Sequence, residues 1–298
     1  MAQQEFPLVD TIGMEMLMHR DAHFGANFDI MLEYYEQNGI GVMPDFTTEA
    51  IRKLQQLEEE VHQDLSTAYL PTSAKEQVDC SQKMYQQLQT VYAQDSPGPI
   101  DILINNLILS EEEDPKKEIE AVVERGEEIV VPLIHLLEKD VLYDPLFPGY
   151  GRGPILAARC LALIQEPSAI QPLFEALVHE NFFTDEGIIR ALCAFGESAK
   201  SFLLDTLVQT PFSKKNEYAA MALGAFPIDE NIMATSLQLL ENPKNWGRCN
   251  LSIYLIYLCS NLIDSDDRQR FFNLTHHREL PQLLREEILT ITHIWNNY

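Results

Sequence analysis

Two groups of residues in this chain have types and spacing that chemistry uses. The first is His19-Arg20-Asp21-Ala22-His23. In a helix, imidazoles at i and i+4 share one face, which is metal-ligand spacing. Asp21 would then point elsewhere, and a third ligand would have to come from Asp29, Glu33 or a distant residue. The glutamate that follows the first histidine of an HExxH zinc site is missing, because Arg20 stands in its place. His19 and His23 are metal candidates on spacing alone, and helix capping or loop anchoring is the simpler role for the group. A metal-dependent or lyase-like enzyme using His19, Asp21 and His23 is the alternative function. His276-His277 falls in a polar turn. No nucleophile elbow, dinucleotide-binding glycine turn or Ser/His/Asp grouping is present, so the sequence calls for no cofactor.

The second group lies in the loop from Asp140 to Gly153. It carries Tyr143, Phe147, Tyr150 and Arg152 among prolines and glycines. Its glycines are not followed by Lys-Ser/Thr, which excludes a phosphate-binding loop. Aromatic and arginine side chains on a constrained loop are what a recognition hot spot uses. Further aromatics recur at similar offsets: Tyr150 stands 11 residues before Leu161, Phe183 9 before Leu192, Phe212 11 before Leu223 and Trp246 9 before Leu255. Two readings follow. The rings seal the edge of a core, or they form a binding rim in which Tyr143, Phe147, Tyr150, Arg152, Phe182 and Phe183 contact a partner.

The elements that position these groups are helices. Residues 11–18 and 27–37 have helical spacing, and Gly39-Ile40-Gly41 is expected to end the second helix through left-handed glycine. A third helix starts near Thr47, with a threonine as N-cap, and pairs with a helix over about 74–93 as a hairpin. Asp95-Ser96-Pro97-Gly98-Pro99 is a cluster of turn formers and marks the expected boundary between domains 1–95 and 96–298. Beyond it the chain repeats itself. Leu161, Leu192 and Leu223 are 31 residues apart, each inside an apolar helical phrase. A second phrase reads Pro132-Leu133…Leu137, Pro172-Leu173…Leu177 and Phe202-Leu203…Leu207. A period of this length means stacked helix pairs, none able to bury its apolar face alone. Leu133 to Leu173 spans 40 residues, and the surplus is the Asp140–Gly153 loop.

These phrases carry a family resemblance. Gly126-Glu127-Glu128-Ile129-Val130-Val131-Pro132-Leu133, Glu166-Pro167-Ser168-Ala169-Ile170-Gln171-Pro172-Leu173 and Gly196-Glu197-Ser198-Ala199-Lys200-Ser201-Phe202-Leu203 each read as a turn, a small residue and a helix entering the core. Together they resemble HEAT repeats of the short, bilin-lyase-like kind, over roughly residues 100–240. The resemblance implies an α-solenoid of five to six helix pairs behind a helical N-terminal region. Some HEAT-repeat enzymes are di-iron hydroxylases with recurring His-Glu dipeptides; this chain has His179-Glu180 and no second, so that activity does not carry over. The bilin lyases offer no catalytic motif that maps onto these residues.

Charge narrows the partners. With 46 acidic against 21 basic side chains the chain carries a formal charge of −25, which disfavours nucleic acid and anionic membrane and favours basic partners. Five cysteines without a CxxC pair suit a reducing compartment, and no signal peptide or spanning stretch is visible. The expectation is an all-α cytoplasmic protein. Its expected function is that of a noncatalytic scaffold or adaptor, binding a basic or extended protein through loop aromatics and an acidic surface.

Overall fold

The computed structural model describes residues 9–94, 98–177 and 182–297, apart from the side chains of 182–184 and 296–297. Among the described residues there are seventeen α-helices, joined by turns and short 3-10 segments, and no strand. The chain is all-α. No helix among these residues is long and apolar enough to cross a membrane. The chain folds as two compact units, 1–160 and 161–298.

The first unit begins with α1 (Thr11–His23), α2 (Phe28–Glu36), α3 (Thr48–Val61), α4 (Leu65–Tyr69) and α5 (Thr72–Tyr92). Polar caps set the starts. Asp10 accepts from Gly13 N–H at 2.7 Å, Asn27 from Asp29 and Ile30, and Thr47 from Ala50 at 3.2 Å. Helix α1 packs on α3, α4 and α5, and α2 on α3. Their shared core contains Met16, Leu17, Met31, Ile51 and Leu65, each 0–1 % exposed. Full burial of such a side chain stabilises by about 1.5–3 kcal/mol, so these residues are among the main apolar contributions to the bundle.

The unit continues with α6 (Pro99–Ile108), α7 (Lys116–Val123), α8 (Val130–Leu137) and the start of α9 (Gly153–Ile164). Residues 95–97 of the turn-rich boundary expected from the sequence lie outside the described residues. Buried Asn105 on α6 donates from Nδ2 to the Leu88 carbonyl of α5 at 2.7 Å, and Tyr92 donates to Asn106 Oδ1 at 2.7 Å. Those bonds tie the two sides together.

The second unit contains α10 (Ile170–Ala176), α11 (Phe182–Ala194), α12 (Glu197–Val208) and α13 (Lys214–Leu223). Four more follow: α14 (Glu230–Leu240), α15 (Cys249–Leu258), α16 (Ser265–Asn273) and α17 (Gln282–Asn297). Each helix packs on its neighbour in the chain, as α10 does on α11, α12 on α13 and α14 on α15. Alternate helices also pack, α12 on α14, α13 on α15 and α15 on α17. The repeated leucines Leu161, Leu192, Leu223 and Leu255 are all 0–1 % exposed, as are Leu173, Leu203 and Leu207 from the second phrase. Buried Asn216 closes one inter-helix loop by donating to the carbonyls of Thr206, Leu207 and Gln209.

Candidate functional site

The two sequence groups meet in the first unit. Helix α1 presents His19 and His23 on one face, with ring centroids 5.3 Å apart. His19 is buried and meets the Phe46 ring edge-on at 5.1 Å; burial lowers its pKa to about 4. His23 lies between a phenol and a carbonyl. Its Nε2 is 3.0 Å from Pro145 O and its Nδ1 is 2.8 Å from Tyr85 Oη. A carbonyl can only accept, so Nε2 carries the proton and the Nδ1 lone pair receives the Tyr85 hydroxyl. Burial, with the neighbouring His19, lowers the His23 pKa to about 3, against the pull of the Pro145 bond. Both nitrogens of His23 are therefore committed to protein partners.

Arg20 and Asp21 point elsewhere. The guanidinium is 1 % exposed and reaches Asp21, Glu58 and Asp64 at 2.7, 2.7 and 2.8 Å, with Ser66 Oγ at 3.0 Å and the Phe28 ring beneath it at 4.5 Å. Burial works against this charge but is outweighed by hydrogen bonds and attraction to the carboxylates, which hold Arg20 above its ordinary range. Asp21 is thus an ion-pair partner. Among the described residues no three His, Cys, Asp or Glu side chains are grouped to hold a metal.

The Asp140–Gly153 loop folds back onto α1, α2 and the turn after α6. Phe147 is buried beside Ala22 and Leu146, with Met18 and Met84 against it, so its ring is inside the unit. Ser81 Oγ donates to Leu146 O at 2.7 Å. Tyr143 donates to Leu137 O at 2.9 Å. Arg152 donates to the carbonyls of Glu112 and Glu113 at 2.8 and 3.1 Å, and to Ser110 O at 3.4 Å. Burial lowers its pKa. Residues 149–151 all have positive φ, 82°, 55° and 75° in turn. Glycine is required at the outer two, because a Cβ would come within 2.7 Å of Ile108 O at Gly149 and of Tyr143 O at Gly151. Tyr150 accepts the strained conformation between them, which is sustained only because the surroundings hold its ring.

That ring sits in an aromatic cluster, 4.7 Å from the His23 ring and 6.0 Å from that of Tyr34. Tyr34 and Tyr150 donate to the two oxygens of Glu111, at 2.8 and 3.3 Å, and Gly41 N–H donates to Tyr34 Oη at 3.0 Å. Burial raises the pKa of Tyr34, Tyr85 and Tyr150, with the Glu111 charge adding to it. The Tyr34 ring covers Gly39 and the Tyr150 ring covers Gly41 so closely that neither position admits a Cβ. The Gly-Ile-Gly turn is therefore glycine for close approach. The left-handed residue that ends α2 is Asn38, with φ 52°, which corrects the expectation that glycine conformation stops this helix.

Tyr34, Gln37, Asn38, Gly39, Ile40, Glu111 and Glu113 line an open recess on this face. It offers a carboxylate oriented by two phenols, a second carboxylate and an electron-rich ring. Such a set suits an ammonium or guanidinium group. The sequence pointed to Tyr150 and Arg152 but not to Tyr34, Tyr85 or Glu111, which come from three separate segments. The Gly39-x-Gly41 spacing was the available signal, since paired glycines mark places where something approaches the backbone closely.

The other aromatics lie in the second unit. Trp246 is 4 % exposed and donates from Nε1 to Leu240 O at 2.7 Å, so it seals the core. Phe212 lies under the Arg248 guanidinium at 5.6 Å. Helix α11 starts at Phe182, and the side chains of Phe182 and Phe183 are outside the described residues. No family model, curated protein or solved structure matches this chain.

Proposed function

We propose that the protein is a noncatalytic scaffold of HEAT-like helix pairs that binds a basic segment of a protein partner at the Tyr34–Glu111–Glu113 recess. The repeat reading rests on the packing of alternate helices in the second unit and on the burial of the 31-residue leucine series. The binding reading rests on one observation: the Glu111 carboxylate is held by Tyr34 and Tyr150 at the mouth of an open recess. The nearby cation, Arg152, spends its donors on backbone carbonyls. Residues 1–160 carry 29 acidic against 11 basic side chains, so the recess sits in the more acidic part of the chain and would draw a basic partner by long-range attraction. Tyr150 acts here by orienting Glu111, and Arg152 by fixing the acidic turn. Phe147 and Tyr143 hold the loop.

An enzyme built on His19, Asp21 and His23 gains no support from the geometry, because the Nδ1 lone pair of His23 is taken by Tyr85 and Asp21 by Arg20. The test of the scaffold reading is affinity capture with cross-linking. Wild type should retain a lysine- or arginine-rich protein cross-linked near residues 34–40 or 111–113, and the Glu111→Gln/Glu113→Gln variant should lose it. Equal retention by both would overturn the assignment.

A further inference from the structure

A second surface, in residues 161–298, has the make-up of a peptide-docking groove. Met221, Phe226, Ile228, Tyr254, Tyr257 and Leu258 line a depression formed by the end of α13, the turn into α14 and the end of α15. Apolar side chains at helix starts usually turn inward. A residue just before an N-cap packs on the fourth helical residue and fixes how the chain enters the helix. Two residues here do not. Ile228 precedes the cap Asp229 of α14, Ile263 precedes the cap Asp264 of α16, and both caps accept two backbone N–H bonds. Yet Ile228 is 66 % and Ile263 73 % exposed, more than any other large apolar side chain described. Asn261, two residues before Ile263, lines the groove, and Tyr257 on its wall is 51 % exposed. Single exposed apolar residues mean little, but several around one depression mark an interaction site.

Charge indicates the occupant. The cations of this edge are consumed locally. Lys200 sits between Glu197 and Asp229 at 2.5 and 2.6 Å. Arg270 bridges Glu241 and Asp267 at 2.8 and 2.6 Å. Arg268 donates to Leu262 O and lies over the Trp295 ring. Among the described residues Glu230, next to the lining residue Asp229, and Glu287, which accepts from the Tyr257 hydroxyl on the groove wall at 3.2 Å, make no ion pair. The positive end of α14 offsets about half a charge, so carboxylate remains in excess at the groove.

We propose that this groove docks a short segment of another protein that carries large apolar side chains flanked by lysine or arginine. It is a different surface from the Tyr34–Glu111 recess and does not depend on that assignment.

The test is fluorescence anisotropy of the full chain against labelled peptides of about ten residues. One has phenylalanine and leucine between lysines, one has the lysines replaced by glutamate, and one has the apolar residues replaced by serine. The lysine-flanked peptide should bind at least about tenfold more tightly than the serine control, the difference expected from burying one large apolar side chain, and more tightly than the glutamate-flanked peptide, which the carboxylates at the groove repel. Ile228→Asp should remove most of that binding while leaving the circular dichroism melt unchanged, since Ile228 is exposed. Glu111→Gln should leave it intact, which separates this groove from the recess. Equal binding of the lysine and glutamate peptides, no binding of either, or unchanged binding by Ile228→Asp would overturn the proposal. So would a wild-type dimer in light scattering that Ile228→Asp converts to monomer, which would assign the groove to a second copy of the chain.

Discussion

The Tyr150 ring lies against Gly41, in the space a side chain at that position would fill. A residue in the 140–153 loop and one in the turn after α2 are thus fitted to each other across more than a hundred positions of sequence. The fit has consequences, because Tyr150 sits at positive φ and is held there by its neighbours. Gly41→Ala should push the ring out and release the loop from α1. We expect a loss of about 1–3 kcal/mol, the usual cost of overpacking, with faster amide exchange over residues 144–152. An unchanged melt and unchanged exchange would show that the loop does not depend on this contact.

Acid should weaken the first unit through its histidines. His19 and His23 have ordinary values of 6.5 in the unfolded chain but about 4 and about 3 when buried. Below 6.5 the unfolded chain takes up protons that the folded one refuses, so stability is complete above that pH and falls as the pH drops toward the folded values. Each histidine contributes at most about 1.4 kcal/mol per pH unit in that window. His23→Gln can still donate to Pro145 and accept from Tyr85, yet it does not titrate. Urea midpoints measured at pH 7 and pH 5 should therefore move less in this variant than in wild type. Equal movement would place the titrating group elsewhere.

The Arg20 cluster should respond differently. Arg20→Met fills similar volume but leaves Asp21, Glu58 and Asp64, which are 15, 27 and 50 % exposed, without their cation, a loss of about 1–3 kcal/mol for unmade bonds to partly buried groups. Burial alone would raise the Asp64 carboxyl, but hydrogen bonds from Thr67, Arg20 and Ser66 N–H outweigh it and keep its pKa below the usual range. Stability from a depressed carboxylate is present above its unfolded value and is lost as the pH falls through the folded one. Wild type should accordingly lose stability below about pH 4, and Arg20→Met should lose less over the same range. A variant as stable as wild type at pH 7 would contradict the role given to this arginine.

Thiol reactivity should divide four of the five cysteines. Cys80 and Cys249 are exposed, whereas Cys160 and Cys259 are fully buried. Burial pushes the Cys160 thiol up to about 12 and raises that of Cys259 as well, so neither forms the reactive thiolate at neutral pH. A disulfide reagent at pH 8 should label Cys80 and Cys249 on the native protein and reach Cys160 and Cys259 only on unfolding. Early labelling of Cys160, read by peptide mapping, would contradict its burial.

Much of the helical framework was legible because it is written locally. The leucines at 161, 192 and 223 mark buried helix faces by period alone, and Thr47 declares the start of α3 as an N-cap. The surplus at 140–153 could be located the same way, as a break in that period. Its direction could not. Whether Phe147 and Tyr150 face solvent or the protein depends on Ala22, His23, Tyr34 and Gly41, residues whose proximity no local pattern encodes. The same holds for the His19/His23 spacing. It correctly places both rings on one face of α1, but only the tertiary partners Tyr85 and Pro145 show that His23 has no lone pair to give.

In the proposed function a basic segment binds at the recess lined by Tyr34, Glu111 and Glu113. A fluorescein-labelled peptide of alternating arginine and glycine, titrated with the full chain by anisotropy, tests it most directly. Wild type should bind at low ionic strength, and Glu111→Gln/Glu113→Gln should bind about tenfold more weakly. The two should converge as salt shortens the screening length to a few ångströms near 1 M. Equal affinity of the two proteins at every salt concentration would contradict binding at this recess.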